Sequence, residues 1–171
     1  SGLNSPLTGS ISTFLIGAGV GFDQVAHNTN VRLYIASLIA KEPITDSDVA
    51  DAIINSGTAI ASEAVAIKNF VLAEKTASNY SLYDEFFALA LSDEKGLNGF
   101  KGTVASTVGG VTWDVNGATF NGTTGYINSN WNPSTDGVNY QLNNALVGGF
   151  SKDWILGPDQ VVIGSNDGSN R

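Results

Sequence analysis

For catalysis this chain offers one histidine, His27, and sixteen acidic side chains, and its 171 residues include no cysteine. That absence removes disulfides, thiol nucleophiles and cysteine zinc sites together. His27 stands in Val25-Ala26-His27-Asn28. A single histidine without a nucleophile elbow assembles no Ser-His-Asp set, so it reads as a polar helix-face or interface residue. From Gly96 onward the acids are Asp114, Asp136, Asp153, Asp159 and Asp167, all isolated, with no glutamate among them. A paired-carboxylate glycosidase needs its two groups roughly 5–10 Å apart across a sugar, and nothing in this spacing supplies the pair. Asp46-Ser47-Asp48 with Asp51 resembles part of a calcium loop, but the glycine and terminal glutamate of an EF-hand are missing. The adjacent pairs Asp84-Glu85 and Asp93-Glu94 point to different sides and read as solvated surface. Gly17-Ala18-Gly19-Val20-Gly21 has the wrong third spacing for a dinucleotide loop. The expectation is a chain that is not an enzyme and carries no cofactor and no metal.

Composition sets the wider bounds. Eight basic against sixteen acidic residues leave a net charge of −8 with no basic run, which argues against binding a nucleic-acid backbone. Hydrophobic residues at 42% against 14% charged argue equally against an acidic disordered chain. The apolar run Phe14–Phe22 is about half of what a bilayer span requires and holds three glycines, so no membrane span is expected. It reads instead as part of an extended docking arm, residues 1–22, with Leu15 and Ile16 among its contact residues. The absence of methionine suggests a processed product or a piece of something longer.

Glycine divides the remainder, since fourteen of the 20 lie from Gly96 onward. Residues 23–95 read as a helical segment. A first helix from Asp23 stops at Lys41-Glu42-Pro43, because the residue before proline is forced out of the helical region. A second opens at Thr45-Asp46-Ser47-Asp48, with a hydroxyl cap and early negative charge. Val49, Ala52, Ile53, Ile60, Ala64, Ile67 and Val71 recur at helical steps, with an interruption expected at Ser56-Gly57. Ile53, Ile60 and Ile67 stand seven apart and are candidate contacts with copies of the same chain, an intramolecular bundle being the alternative. A third helix, buried or held in an interface, is expected over Ser81–Leu91.

Residues 96–171 read as short strands at Val104–Val108, Val111–Val115, Thr119-Phe120, Tyr126-Ile127, Ala145–Val147, Trp154–Leu156 and Val161–Ile163. Gly109-Gly110 and Asn116-Gly117 supply turns, and Asn-Gly is a strong hairpin signal. The fold class is therefore α+β: an N-terminal helical segment followed by part of an antiparallel β-sandwich. About six strands are too few to close two sheets, so the sandwich is expected to be incomplete at Arg171.

The stretch Trp113–Asn128, with Phe120-Asn121-Gly122 followed by Tyr126-Ile127, resembles the opening of a concanavalin A-like, LamG-type jelly roll. Together with Asn130-Trp131-Asn132-Pro133-Ser134-Thr135 and the preceding Leu82–Phe86, it is similar to virion structural proteins of tailed bacteriophages. The resemblance covers roughly residues 80–160 and includes no catalytic signature. It implies a tail-fibre, tail-adaptor or capsid-fibre subunit that docks through its helical half and projects a lectin-like domain. Its partners would be other virion proteins, copies of itself and host-surface glycans, and its location the virion. The alternative is a bacterial surface or secreted carbohydrate-binding module. Phe120, Tyr126 and Trp131 are expected to fill one face of a sheet, with sugar stacking by Tyr126 or Trp131 as the functional alternative.

Overall fold

The computed structural model describes residues 23–149, apart from Val115 and Leu142. The docking arm with Leu15 and Ile16, and the strands expected at Trp154–Leu156 and Val161–Ile163, lie outside the described residues. The architecture is mixed: helices come first and two small antiparallel sheets come after them. The described residues do not form a complete jelly roll.

Helix α1 (Gln24–Ala40) starts where the Asp23 carboxylate accepts from the Ala26 N–H. It ends at Lys41, whose φ of 56° turns the chain toward Pro43. Helix α2 (Ser47–Ser56) is capped by Asp46, not by the Thr45 hydroxyl. The Asp46 carboxylate accepts from both Asp48 and Val49 N–H, two of the donors that a helix start leaves open. Gly57 closes α2 at φ 71°, and α3 (Ala61–Thr76) returns beside it. Lys75, at the far end of α3, bridges Asp46 and Asp48 at 2.7 Å each, so α2 and α3 run antiparallel. The expected interruption at Ser56-Gly57 is thus a full reversal.

The periodic stripe is the core. Val49, Ala52 and Ile53 from α2 meet Ala64, Ile67 and Val71 from α3 and Ala36 and Ala40 from α1. Ile53 is fully buried and Ile67 nearly so, both within this chain's own core, while Ile60 sits exposed at the start of α3. The sevenfold spacing therefore belongs to a helix-turn-helix reversal, and Ile53 and Ile67 are not left for a partner.

Residues 81–91 are not a helix. A 3₁₀ turn at Tyr80–Leu82 gives way to an extended segment in which Phe87 bridges Gly99. Helical propensity loses here to tertiary contacts. Phe86 packs 4.5 Å from Phe70 and 5.1 Å from Phe100 between ring centroids, and its carbonyl accepts from Phe100 N–H. Phe100 lies beyond the change in composition yet is buried with the helices.

The sheets form one long, interrupted hairpin. Strand β1 (Ser106–Val108) pairs with β4 (Tyr126–Asn128), and inside them β2 (Val111–Asp114) pairs with β3 (Gly117–Phe120). Two residues, Gly109-Gly110, face five on the return, Asn121–Gly125, which makes a wide bulge. Asn121 holds that bulge: its side-chain oxygen accepts from the N–H groups of Thr123, Thr124 and Gly125. A Cβ on Gly109 or Gly125 would overlap the opposing backbone, so the glycines are required by close approach. The tip departs from the Asn-Gly expectation. Asp114 pairs with Gly117, and its carboxylate accepts from Asn116 N–H, so the reversal begins one residue early, with Gly117 at a φ of 100°.

The Ala145–Val147 strand is not formed. Leu146 and Val147 stand exposed, with only an isolated bridge between Gln141 and Asn144 beside them. Substituting Asn121 with alanine removes one acceptor from three N–H groups at once. It should lower stability by about 1–2 kcal/mol in urea unfolding while leaving the helical circular dichroism unchanged.

Candidate functional site

The acidic pair Asp84-Glu85 carries the densest polar network in the described chain, and both side chains are half-buried rather than solvated. The two point to opposite sides, and each carboxylate gathers a different loop. Glu85 accepts from Phe86 and Lys101 N–H at 2.8 Å and from Thr103 N–H at 2.9 Å. A Cβ on Gly99 would overlap that carboxylate, which explains the glycine beneath it. Asp84 reaches 54 to 56 residues ahead and accepts from Val138, Asn139 and Tyr140 N–H, and from the Asn139 amide.

Two more acids do similar work. Glu63 on α3 accepts from the Thr58 hydroxyl and from both the N–H and hydroxyl of Ser92. Asp93 caps the 3₁₀ turn Glu94–Leu97 through Lys95 N–H. These carboxylates are thus acceptors for backbone and hydroxyl donors. Asp46-Ser47-Asp48 is a helix start closed by Lys75, not part of a calcium loop. Among the described residues no group of three or more His, Cys, Asp or Glu converges as a metal cage would. His27 falls within α1.

The protonation equilibria reflect this geometry. Burial would raise the Asp84 pKa, but the N–H groups of Asn139, Tyr140 and Val138 outweigh it and hold the carboxyl below its ordinary 3.8. Burial would likewise raise the Glu63 pKa, but the Thr58 and Ser92 donors outweigh it and hold that carboxyl below 4.5. Tyr83 is pushed up to about 12 because it donates to Glu74 at 2.6 Å. Burial, with the charges of Asp48, Asp51 and Glu85, takes Tyr80 to about 12 as well.

Two apolar features stand apart from these networks. An open groove of about 330 Å³ lies between α3 and residues 86–91, lined by Ala66, Ile67, Phe70, Phe86, Leu91 and Phe100. The second is the hairpin. Val108 and Tyr126 are paired directly across β1 and β4 and both are exposed, Tyr126 to 54%. Phe120, opposite Val111 on β3, is exposed too. Phe120 and Tyr126 therefore do not fill a core in the described residues, because no second sheet covers them there. Trp131 is separate: it is half-buried and packs edge-on against Tyr140 at 5.5 Å, just before the short helix α4 (Pro133–Asp136). The structure does not bring Tyr126 and Trp131 into ring contact. Trp113 seats its ring against Gly96, with its indole N–H buried and unpartnered.

Sequence reasoning missed the carboxylate clamps. Their only local signal is an acid pair beside aromatic residues, and apart from Phe86 N–H the backbone donors they hold lie 16 to 56 residues away.

These carboxylates give the fold an acid response of definite sign. Asp84 and Glu63 titrate below their ordinary values when folded, so their contribution is fully present above about pH 5. It is lost as pH falls through 4 and below. Acid unfolding followed by circular dichroism should begin below pH about 4, and Asp84→Asn should flatten that part of the profile while lowering stability at pH 7. Comparison with protein-family models, curated proteins and solved structures finds no match to this chain.

Proposed function

We propose that this chain is a structural subunit of a virion, of the tail-fibre, tail-adaptor or capsid-fibre kind. In this reading it docks through its helical half and projects a lectin-like β domain. The observation that carries the reading is where the chain's chemistry goes. The half-buried acids are engaged in holding backbone, whereas substantial apolar surface stays uncovered on α1 and on the hairpin. Such uncovered apolar surface suits a part that is completed by neighbours. The resemblance of residues 80–160 to phage appendage proteins agrees with this reading. No described helix is long and apolar enough to cross a membrane, which is compatible with assembly through protein contacts.

A second reading, a carbohydrate-binding module on a bacterial surface or in secretions, is favoured by one observation. The Tyr126 ring stands free on the hairpin, and an exposed aromatic face suits the C–H face of a sugar. In either case a single weak site gains strength through repetition on an array.

Quantitative mass spectrometry of purified phage particles from the source of this sequence tests the first reading. Expected is this chain at a fixed ratio to the major capsid protein; its absence from particles overturns the proposal. A glycan array probed with the purified chain and with Tyr126→Ala tests the second. Saturable binding lost at least tenfold in the variant supports it, and no binding by either removes it.

A further inference from the structure

Three asparagines in the chain are followed by glycine: Asn98, Asn116 and Asn121. Glycine has no side chain to shield its own backbone nitrogen, so at such a pair that nitrogen can reach the preceding carboxamide carbon. The fold treats the three pairs differently. Asn98 is half-buried, and its amide donates to the Ser56 carbonyl at the end of α2 at 3.2 Å, while Gly99 N–H donates to the Thr103 carbonyl at 2.7 Å. The Asn121 oxygen accepts from Thr123, Thr124 and Gly125 N–H, and its amide donates to the Thr124 hydroxyl at 2.9 Å. Asn116 is exposed at the hairpin tip, and its carboxamide makes no hydrogen bond among the described residues. Its backbone N–H, not its side chain, is what Asp114 holds.

We propose that Asn116 is a site of spontaneous covalent modification, at which the asparagine is converted to aspartate and isoaspartate. The Gly117 backbone nitrogen attacks the Asn116 Cγ and forms a new C–N bond, closing a five-membered imide. Nδ2 leaves as ammonia, taking the proton that the Gly117 nitrogen gives up. Water then adds to one of the two imide carbonyls, and the C–N bond there breaks. Breaking the bond to Cγ restores the backbone with an aspartate side chain. Breaking the bond to the main-chain carbonyl carbon leaves the backbone running through the former side chain, as isoaspartate. One water is consumed and one ammonia released.

The ranking follows from what must move. Ring closure turns the carboxamide onto the next backbone nitrogen, and each hydrogen bond surrendered on the way adds to the barrier. Asn98 would give up Ser56, and Gly99 its bond to Thr103. Asn121 would release the three N–H groups of the bulge. Asn116 gives up no side-chain bond. Gly117 itself is held close against Leu89 and Ala90, so closure is slower than in an unfolded chain, but the group that turns is the exposed one. The product acts on the tip. It places a second carboxylate two residues from Asp114, and isoaspartate lengthens the backbone beside the closing pair Asp114–Gly117. Both changes loosen the pairing of β2 with β3. The inference is independent of the virion reading.

Incubating the full 171-residue chain in heavy-oxygen water at mildly alkaline pH, followed by peptide mapping with mass spectrometry, tests the site. Trypsin, cutting at Lys95, Lys101 and Lys152, puts Asn98 on one peptide and Asn116 with Asn121 on another, where fragmentation tells them apart. In the folded chain Asn116 should take up heavy oxygen roughly tenfold or more faster than either of the others, with isoaspartate among its products. In guanidinium chloride the three rates should converge, because the protecting hydrogen bonds are gone. Asn116→Gln, whose longer side chain would have to close a six-membered ring, should remove the signal, with circular dichroism confirming that the variant folds. Conversion of Asn98 or Asn121 in the folded chain as fast as that of Asn116 overturns the proposal. So does an Asn116 that stays intact in the folded chain while the denatured chain converts completely, or a ranking that is unchanged in denaturant.

Discussion

The arrangement depends on ionised carboxylates accepting hydrogen bonds from backbone that has no secondary-structure partner of its own. The N–H groups of Lys101, Thr103, Val138, Asn139 and Tyr140 lie in irregular backbone and would otherwise have to be satisfied by water. Glu85 and Asp84 collect them from adjacent positions on one extended segment. That segment is fixed from the other direction by Phe86 against Phe70 and Phe100. The joint between the helical core and residues 99–103 and 138–140 is thus polar as well as apolar. A charge-assisted acceptor serving several donors is among the stronger local interactions available.

The same pattern extends to other acids of the helical half. Glu63 is occupied by Thr58 and Ser92, Asp46 and Asp48 by Lys75 and a helix start, and Asp51 by Arg32. Apolar surface is exposed on the outer side of α1, along the open groove beside α3 and on the hairpin.

Much of the fold was legible in the residues, and the gaps have physical causes. The helix stop at Pro43, the reversal at Gly57 and the stripe from Val49 to Val71 are local signals, set by backbone sterics and periodicity. The strand pair around the Asn116-Gly117 turn is equally local, and only the position of the reversal moved, because the Asp114 carboxylate captured Asn116 N–H. Residues 81–91 misled because their apolar and capping pattern suits a helix, while the decisive contacts come from Phe70, Phe100 and residues 138–140. The aromatic side chains misled differently. Phe120 and Tyr126 have core-like chemistry, but burial depends on a covering layer that their own alternation does not reveal. Leu15 and Ile16 lie outside the described residues, and Ile53 and Ile67 turned out to serve the chain's own core.

Native-state hydrogen exchange measured amide by amide tests the central claim most directly. If the Asp84 and Glu85 carboxylates fasten these loops to the helical core, the amides of Lys101, Thr103, Asn139 and Tyr140 exchange as slowly as those within α2 and α3, although none lies in a helix or strand. Exchange of those four amides at the rates of an unstructured chain, while the helices stay protected, would contradict it.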